Sequence, residues 1–150
     1  MAIKPFNYQQ DFSSIDFRQQ PELYQVGRGE QGVLLVEPYK SEILPFWRYK
    51  DEASAMKSAE QIYQLFEAYR QQDDFVGMDM ARKFIQMGYT RARRYAYKGG
   101  KKYAEDGSLN TRGNDPIKAA AATVFKGWWD KIRQDEDYLK RKRQHQARWG

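Results

Sequence analysis

DMARKFIQMGYTRARRYAYKGGKKY, residues Asp79 to Tyr103, is where apolar periodicity, positive charge and aromatic rings coincide in this chain. Wound as a helix, Ala81, Phe84, Ile85, Gly88, Ala92, Tyr95 and Ala96 recur at three- and four-residue steps and form one core-facing stripe. Lys83, Arg91, Arg94 and Lys98 fall together beside that stripe. Cations held at fixed spacing on a helix suit a row of phosphates, although a plain solvated face has the same pattern. The stripe runs unbroken across Gly88, which predicts one continuous helix with a neighbour packed close to the glycine. The alternative is a break at Gly88 with Thr90 capping a second helix. Gly99-Gly100 ends the pattern.

Working outward, Asp73 and Asp74 offer a cap for this helix, and upstream lies a second. Asp51 and Glu52 suit a helix N-terminus, and Met56, Ala59, Ile62, Tyr63, Phe66 and Tyr69 make a stripe running to about Gln71. Downstream, residues 101–114 read as a surface loop with a turn at Asp106-Gly107. Asp115-Pro116 then reads as N-cap and N1 of a further helix, with Ile117, Ala121, Val124, Trp128 and Ile132 on its core side and Trp129 off it. Residues 134–150 form a basic C-terminal tail that runs from acidic to basic as a short helix prefers.

Leu23 to Lys50 reads differently. Gly27, Gly29 and Gly32 punctuate it, Val33-Leu34-Leu35-Val36 is a short β-branched apolar run, and Pro38 stops it. The expected fold is therefore α+β: a mostly helical single domain in which a small N-terminal β-hairpin or sheet packs on three to four helices. Residues 1–22 read as an extended arm that lies along the domain and buries some of its rings, Phe6, Tyr8, Phe12 and Phe17.

Composition narrows the chemistry. An apolar share of 41% and an aromatic share of 15% supply a core and argue against disorder. The absence of cysteine removes disulfides, thiolate metal sites and a cysteine nucleophile, and suits a reducing cytoplasm. No apolar run is long enough to span a bilayer, so no membrane role is expected. Net charge is 0 over residues 1–50, −5 over 51–80 and +11 over 81–150. A basic half favours polyanionic partners, or pairs with the acidic stretch within the chain or in an oligomer.

Catalytic constellations are sparse. His145, the only histidine, sits in the basic tail, where a solvated ring is expected. Glu30, Glu37 and Lys40 could serve a metal-dependent phosphoesterase, but Glu-x-x-Lys is no signature of that chemistry. Gly27-Arg28-Gly29-Glu30-Gln31-Gly32 lacks the Lys-Ser/Thr and the following helix of a phosphate loop and reads better as a tight turn. Lys98-Gly99-Gly100-Lys101-Lys102 fits phosphate wrapping by backbone amides, and equally a helix C-cap with a basic loop. Tyr89, Tyr95, Tyr97 and Tyr103 alternate with the cations as stacking groups do, with Tyr95 discounted as core.

Tyr24 to Lys50 (YQVGRGEQGVLLVEPYKSEILPFWRYK), Asp74 to Ala96 (DFVGMDMARKFIQMGYTRARRYA) and the Lys-Gly-Gly segment with Tyr103 resemble domain of unknown function 4385, a family of bacteria and some tailed phages. The resemblance covers most of the chain and implies no reaction, ligand or cofactor. Asn-His commonly precedes Lys-Gly-Gly in that family; Tyr97 stands there here, so no histidine role carries over.

These readings converge on a non-enzymatic nucleic-acid-binding protein that recognises DNA or RNA by backbone or shape. Its expected contacts are Lys83, Arg91, Arg93, Arg94, Lys98, Lys101 and Lys102, with Tyr97 and Trp47 as stacking groups; no metal or cofactor is expected. An acidic protein partner is the alternative, with Trp47, Arg48 and Tyr49 as either packing or an exposed edge.

Overall fold

The four longer helices begin where the sequence supplies an aspartate to accept from their free amides. The computed structural model describes residues 5–97 and 115–150. Its helices are α1 (Tyr39–Ile43), α2 (Glu52–Gln71), α3 (Phe75–Ala96), α4 (Pro116–Arg133) and α5 (Glu136–Arg148), with single 3₁₀ turns at Phe12–Ser14, Pro21–Leu23 and Leu44–Phe46. Asp51 accepts from the Ser54 amide at 2.8 Å, Asp74 from Gly77 at 3.0 Å, Asp115 from Ile117 at 2.9 Å and Asp135 from Tyr138 at 2.9 Å. Pro116 occupies the first turn of α4, where its missing amide costs nothing.

The α+β expectation is overturned: the described residues contain helices, turns and irregular backbone but no strand. The reason lies in the glycines. Gly27, Gly29 and Gly32 take positive φ of 68°, 58° and 78° and coil the backbone, so that Val33 bonds back to Glu30 at 3.2 Å and Leu35 to Gly32 at 3.0 Å. Val33 and Val36 are buried while Leu34 and Leu35 stand 43% and 37% exposed. That is a three-residue period, which four apolar residues cannot distinguish from a strand.

α2, α3 and α4 pack on one another as a three-helix bundle, with α3 at its centre and α1 and α5 also against α3. Gly88 lies inside one unbroken α3, and Phe125 of α4 packs against it; a Cβ there would sit 2.6 Å from the Phe125 ring. Gly88→Ala is expected to destabilise the fold by about 1–3 kcal/mol, because the overlap outweighs the roughly 1 kcal/mol that alanine gains in helix propensity. Urea unfolding decides the sign, and a more stable variant would mean that the ring has room to move. The buried face of α4 is Ala121, Ala122, Phe125 and Ile132, whereas Ile117, expected in the core, is 58% exposed. On α2, Met56 of the expected stripe is exposed, and Ala55, Ala59, Ile62, Phe66 and Tyr69 carry the packing.

The N-terminal segment and α5 cover the other side of α3. Phe6, Phe17, Tyr24 and Val26 are buried there, as are Tyr138 and His145 of α5. Every residue of α3 from Val76 to Ile85 is buried as a result, including Asp79, Arg82 and Lys83. Lys83 is 0% exposed, so it stands apart from the exposed cations with which the sequence grouped it. Its ammonium donates to the Gln31 carbonyl at 2.7 Å and lies 4.7 Å from the Tyr24 ring and 5.1 Å from that of Phe6.

Asp79 is the hub of this polar core. It accepts from the hydroxyls of Tyr24 and, at 2.6 Å, Tyr138, and from Arg82 Nη2 at 2.7 Å. Arg82 also donates to the Gly29 carbonyl and to Gln86 at 2.9 Å. Burial works against the Asp79 charge, but Arg82, Lys83 and the two hydroxyls outweigh it and hold the carboxyl at about 2. His145 is likewise not solvated: its Nε2 lies 2.6 Å from the Tyr24 carbonyl oxygen, and its ring packs on Phe75 and Trp149.

Candidate functional site

Pro45 and the extended backbone at Trp47 turn the chain between α1 and α2 into a rim of rings and cations. This rim, the last turn of α3 and the start of α4 enclose a cleft of about 890 Å³. Its lining carries four cations, Lys40, Arg48, Lys50 and Lys118, and three rings, Trp47, Tyr49 and Tyr95, with no carboxylate among them. Buried core fixes the rim: the Trp47 ring meets Phe84 edge-on at 6.2 Å, and the Arg48 amide donates to Ser58 of α2 at 2.9 Å.

Lys118 braces the rim from α4. Its ammonium donates to the carbonyls of Tyr49 at 3.2 Å and Lys50 at 3.0 Å and sits 5.1 Å from the Tyr49 ring centre. Trp47 and Tyr49 pack at 4.8 Å, and Tyr49 and Tyr95 are parallel to within 7° with centroids 6.3 Å apart. The Trp47 indole N–H is shut off from solvent and has no partner among the described residues. Lys40, Arg48 and Lys50 form no ion pair among the described residues, so their charge faces solvent or a ligand.

The residues expected to bind do not gather on one face. Trp47 lies in the cleft. Arg91 lines a separate hollow of about 410 Å³ with Tyr8, Arg28, Glu30 and Leu34. Arg93 donates to the Tyr89 hydroxyl at 2.6 Å, beside the Trp129 ring that Arg133 covers at 4.0 Å. Arg94 is exposed, and Tyr97 follows the last turn of α3, half-buried. Lys98, Lys101 and Lys102 lie outside the described residues, as does the expected loop over 101–114. Tyr95, discounted as core, is 53% exposed and forms a wall of the cleft. Lys118 joins the cleft through tertiary packing alone, since nothing local in the sequence places the start of α4 beside residues 47–50.

The residues of the phosphoesterase reading have separate duties. Both oxygens of Glu37 accept from Ser41, its amide at 2.8 Å and its hydroxyl at 2.7 Å, while Glu30 accepts from Thr90 at 3.2 Å. Burial raises the Glu30 carboxyl, opposed by the Thr90 hydrogen bond and the charges of Arg91 and Arg94. Among the described residues no three His, Cys, Asp or Glu side chains gather to hold a metal ion. Between the 51–80 stretch and the basic half, the described ion pairs are Asp73 with Arg141, Asp79 with Arg82, and, with the charges reversed, Arg70 with Asp135 and Asp137. No described helix is long and apolar enough to cross a membrane.

No curated protein and no solved structure matches the chain. Over residues 7–148 it matches the family model described as Domain of unknown function (DUF4385), and it belongs to that family.

Proposed function

We propose that the protein binds nucleic acid without enzymatic turnover, in the cytoplasm, through the cleft between α1, α3 and α4. The observation that carries this reading is the lining itself, with four cations and three aromatic rings and no carboxylate. Phosphates need cations that are not already neutralised, and bases need ring faces, so one hollow offering both suits a polynucleotide better than either alone.

Salt dependence tests the proposal. Each phosphate contact contributes roughly 0.7 to 0.9 to the slope of log affinity against log salt. The double variant Lys40→Ala/Lys50→Ala is expected to lower that slope by about 1.4 to 1.8 and to weaken binding alike across sequences. Arg91→Ala/Arg94→Ala is expected to lower it less, because the Glu30 carboxylate already offsets those cations. A slope unchanged in the lysine variant would remove the cleft as the site. No binding to any polynucleotide at low salt would remove the function and leave an acidic protein surface as the partner to test.

A further inference from the structure

The Tyr49 and Tyr95 rings come from elements far apart in sequence, yet lie parallel to within 7°. Tyr95 is the outer member and leaves more than half of its surface in solvent, where a ligand can reach it. Tyr49 is held from behind by Trp47 and by the Lys118 ammonium, so the pair is a fixed platform and not two free side chains. Lys50 follows Tyr49 in the chain, and Lys118 and Lys40 line the same hollow, which sets cations beside the ring faces. A volume of about 890 Å³ lies at the upper end of the roughly 300–1,000 Å³ of small-molecule pockets, leaving room for a base with its flanking phosphates.

A duplex keeps its base faces inside its own stack and offers a protein only phosphates and groove edges. Exposed ring faces add affinity only for bases that are unpaired, and they do so with little regard to sequence, because every base has a π-face. An acidic peptide would use the cations and leave Tyr95 idle.

Resting on the nucleic-acid reading above, we infer that the ligand of this cleft is a single strand, one of whose bases stacks on the Tyr49–Tyr95 platform while its phosphates lie against Lys50, Lys118 and Lys40. Tyr95 supplies outer stacking surface, and Tyr49 and Lys118 hold the platform in place.

The test is fluorescence anisotropy with a labelled oligothymidylate of roughly 12 nucleotides, a length within the range that single-strand sites cover. An abasic strand of the same length and a duplex are measured beside it, at two salt concentrations. Tyr95→Ala is expected to weaken oligothymidylate binding about five- to 150-fold without changing the salt slope, and Tyr95→Phe to keep most of the affinity. Wild-type protein is expected to bind the abasic strand as weakly as Tyr95→Ala binds the oligothymidylate, a comparison that does not depend on the variant folding. Equal or tighter binding of the duplex, or of the abasic strand, overturns the stacking inference while the phosphate-binding reading stands. Failure of all three ligands to bind at low salt overturns both.

Discussion

Asp79→Ala is expected to cost the fold about 3–5 kcal/mol, the range found when one member of a buried ion pair is removed. Arg82 is the group stranded by this change: its guanidinium is buried and Asp79 is its carboxylate partner, bonded at 2.7 and 3.0 Å. The hydroxyls of Tyr24 and Tyr138 lose their acceptor at the same time. Each buried donor left unpaired adds about 1–3 kcal/mol on its own. A domain of this size is stable by only about 5–15 kcal/mol, so the variant should sit near the edge of folding at ambient temperature. Urea unfolding near neutral pH measures the effect. A second variant separates charge from packing: Asp79→Leu/Arg82→Met should cost less than Asp79→Ala alone, because it strands no guanidinium and leaves only Lys83, which burial already drives toward its neutral form. If Asp79→Ala lost under 1 kcal/mol, water would be reaching Arg82 and the network would not be the hub that joins the N-terminal segment, α3 and α5.

That hub also shows where sequence reading stopped. Local signals located the helix starts at Asp51 and Asp115-Pro116 and carried α3 through Gly88, because caps and three-to-four periodicity act within one segment. Lys83 lies one position from a core stripe, and its burial depends on which segments cover the far side of α3. Those segments are a coiled stretch near the N-terminus and the C-terminal α5, distant in sequence and without periodic signals of their own. His145 reads as solvated for the same reason: in the polar run Arg141-Lys142-Arg143-Gln144-His145-Gln146 nothing local distinguishes a docked helix from a free one. The coil at residues 23–38 was misread because a strand needs a partner, and four apolar residues do not reveal whether one exists. The cleft was legible only at Trp47-Arg48-Tyr49, whose ring density stood out; Tyr95 and Lys118 join it through the packing of α3 and α4. An apolar stripe cannot show that Tyr95 is left uncovered while Ala92 and Ala96 on either side of it stay buried.

The second large effect is an unusual rise of stability with pH. Burial lowers the Lys83 ammonium from its ordinary 10.5 to about 7, against the attraction of Asp79 and with the repulsion of Arg82. Between those two values the unfolded chain keeps a proton on this side chain that the folded chain has released. Stability therefore rises with pH across the window, and the contribution is lost as pH falls from 10.5 toward 7. One proton corresponds to about 1.4 kcal/mol per pH unit, so unfolding free energy is expected to gain about 2 kcal/mol between roughly pH 7 and 9. Lys142, also lowered by burial, acts in the same direction, and so does His145 below its ordinary 6.5. Near pH 10 the sign reverses. Burial raises the phenols of Tyr24, Tyr39, Tyr69 and Tyr138 above their ordinary 10.0, so the unfolded chain releases those protons first and folding loses ground. Maximum stability is thus expected near pH 9, above the usual range of about 5 to 8. Urea midpoints measured across this range check the curve, and Lys83→Met should flatten most of its rise between about pH 7 and 9. A wild-type curve already level or falling over that interval would mean that Lys83 keeps its proton in the core, held by Asp79 and the Gln31 carbonyl against the cost of burial.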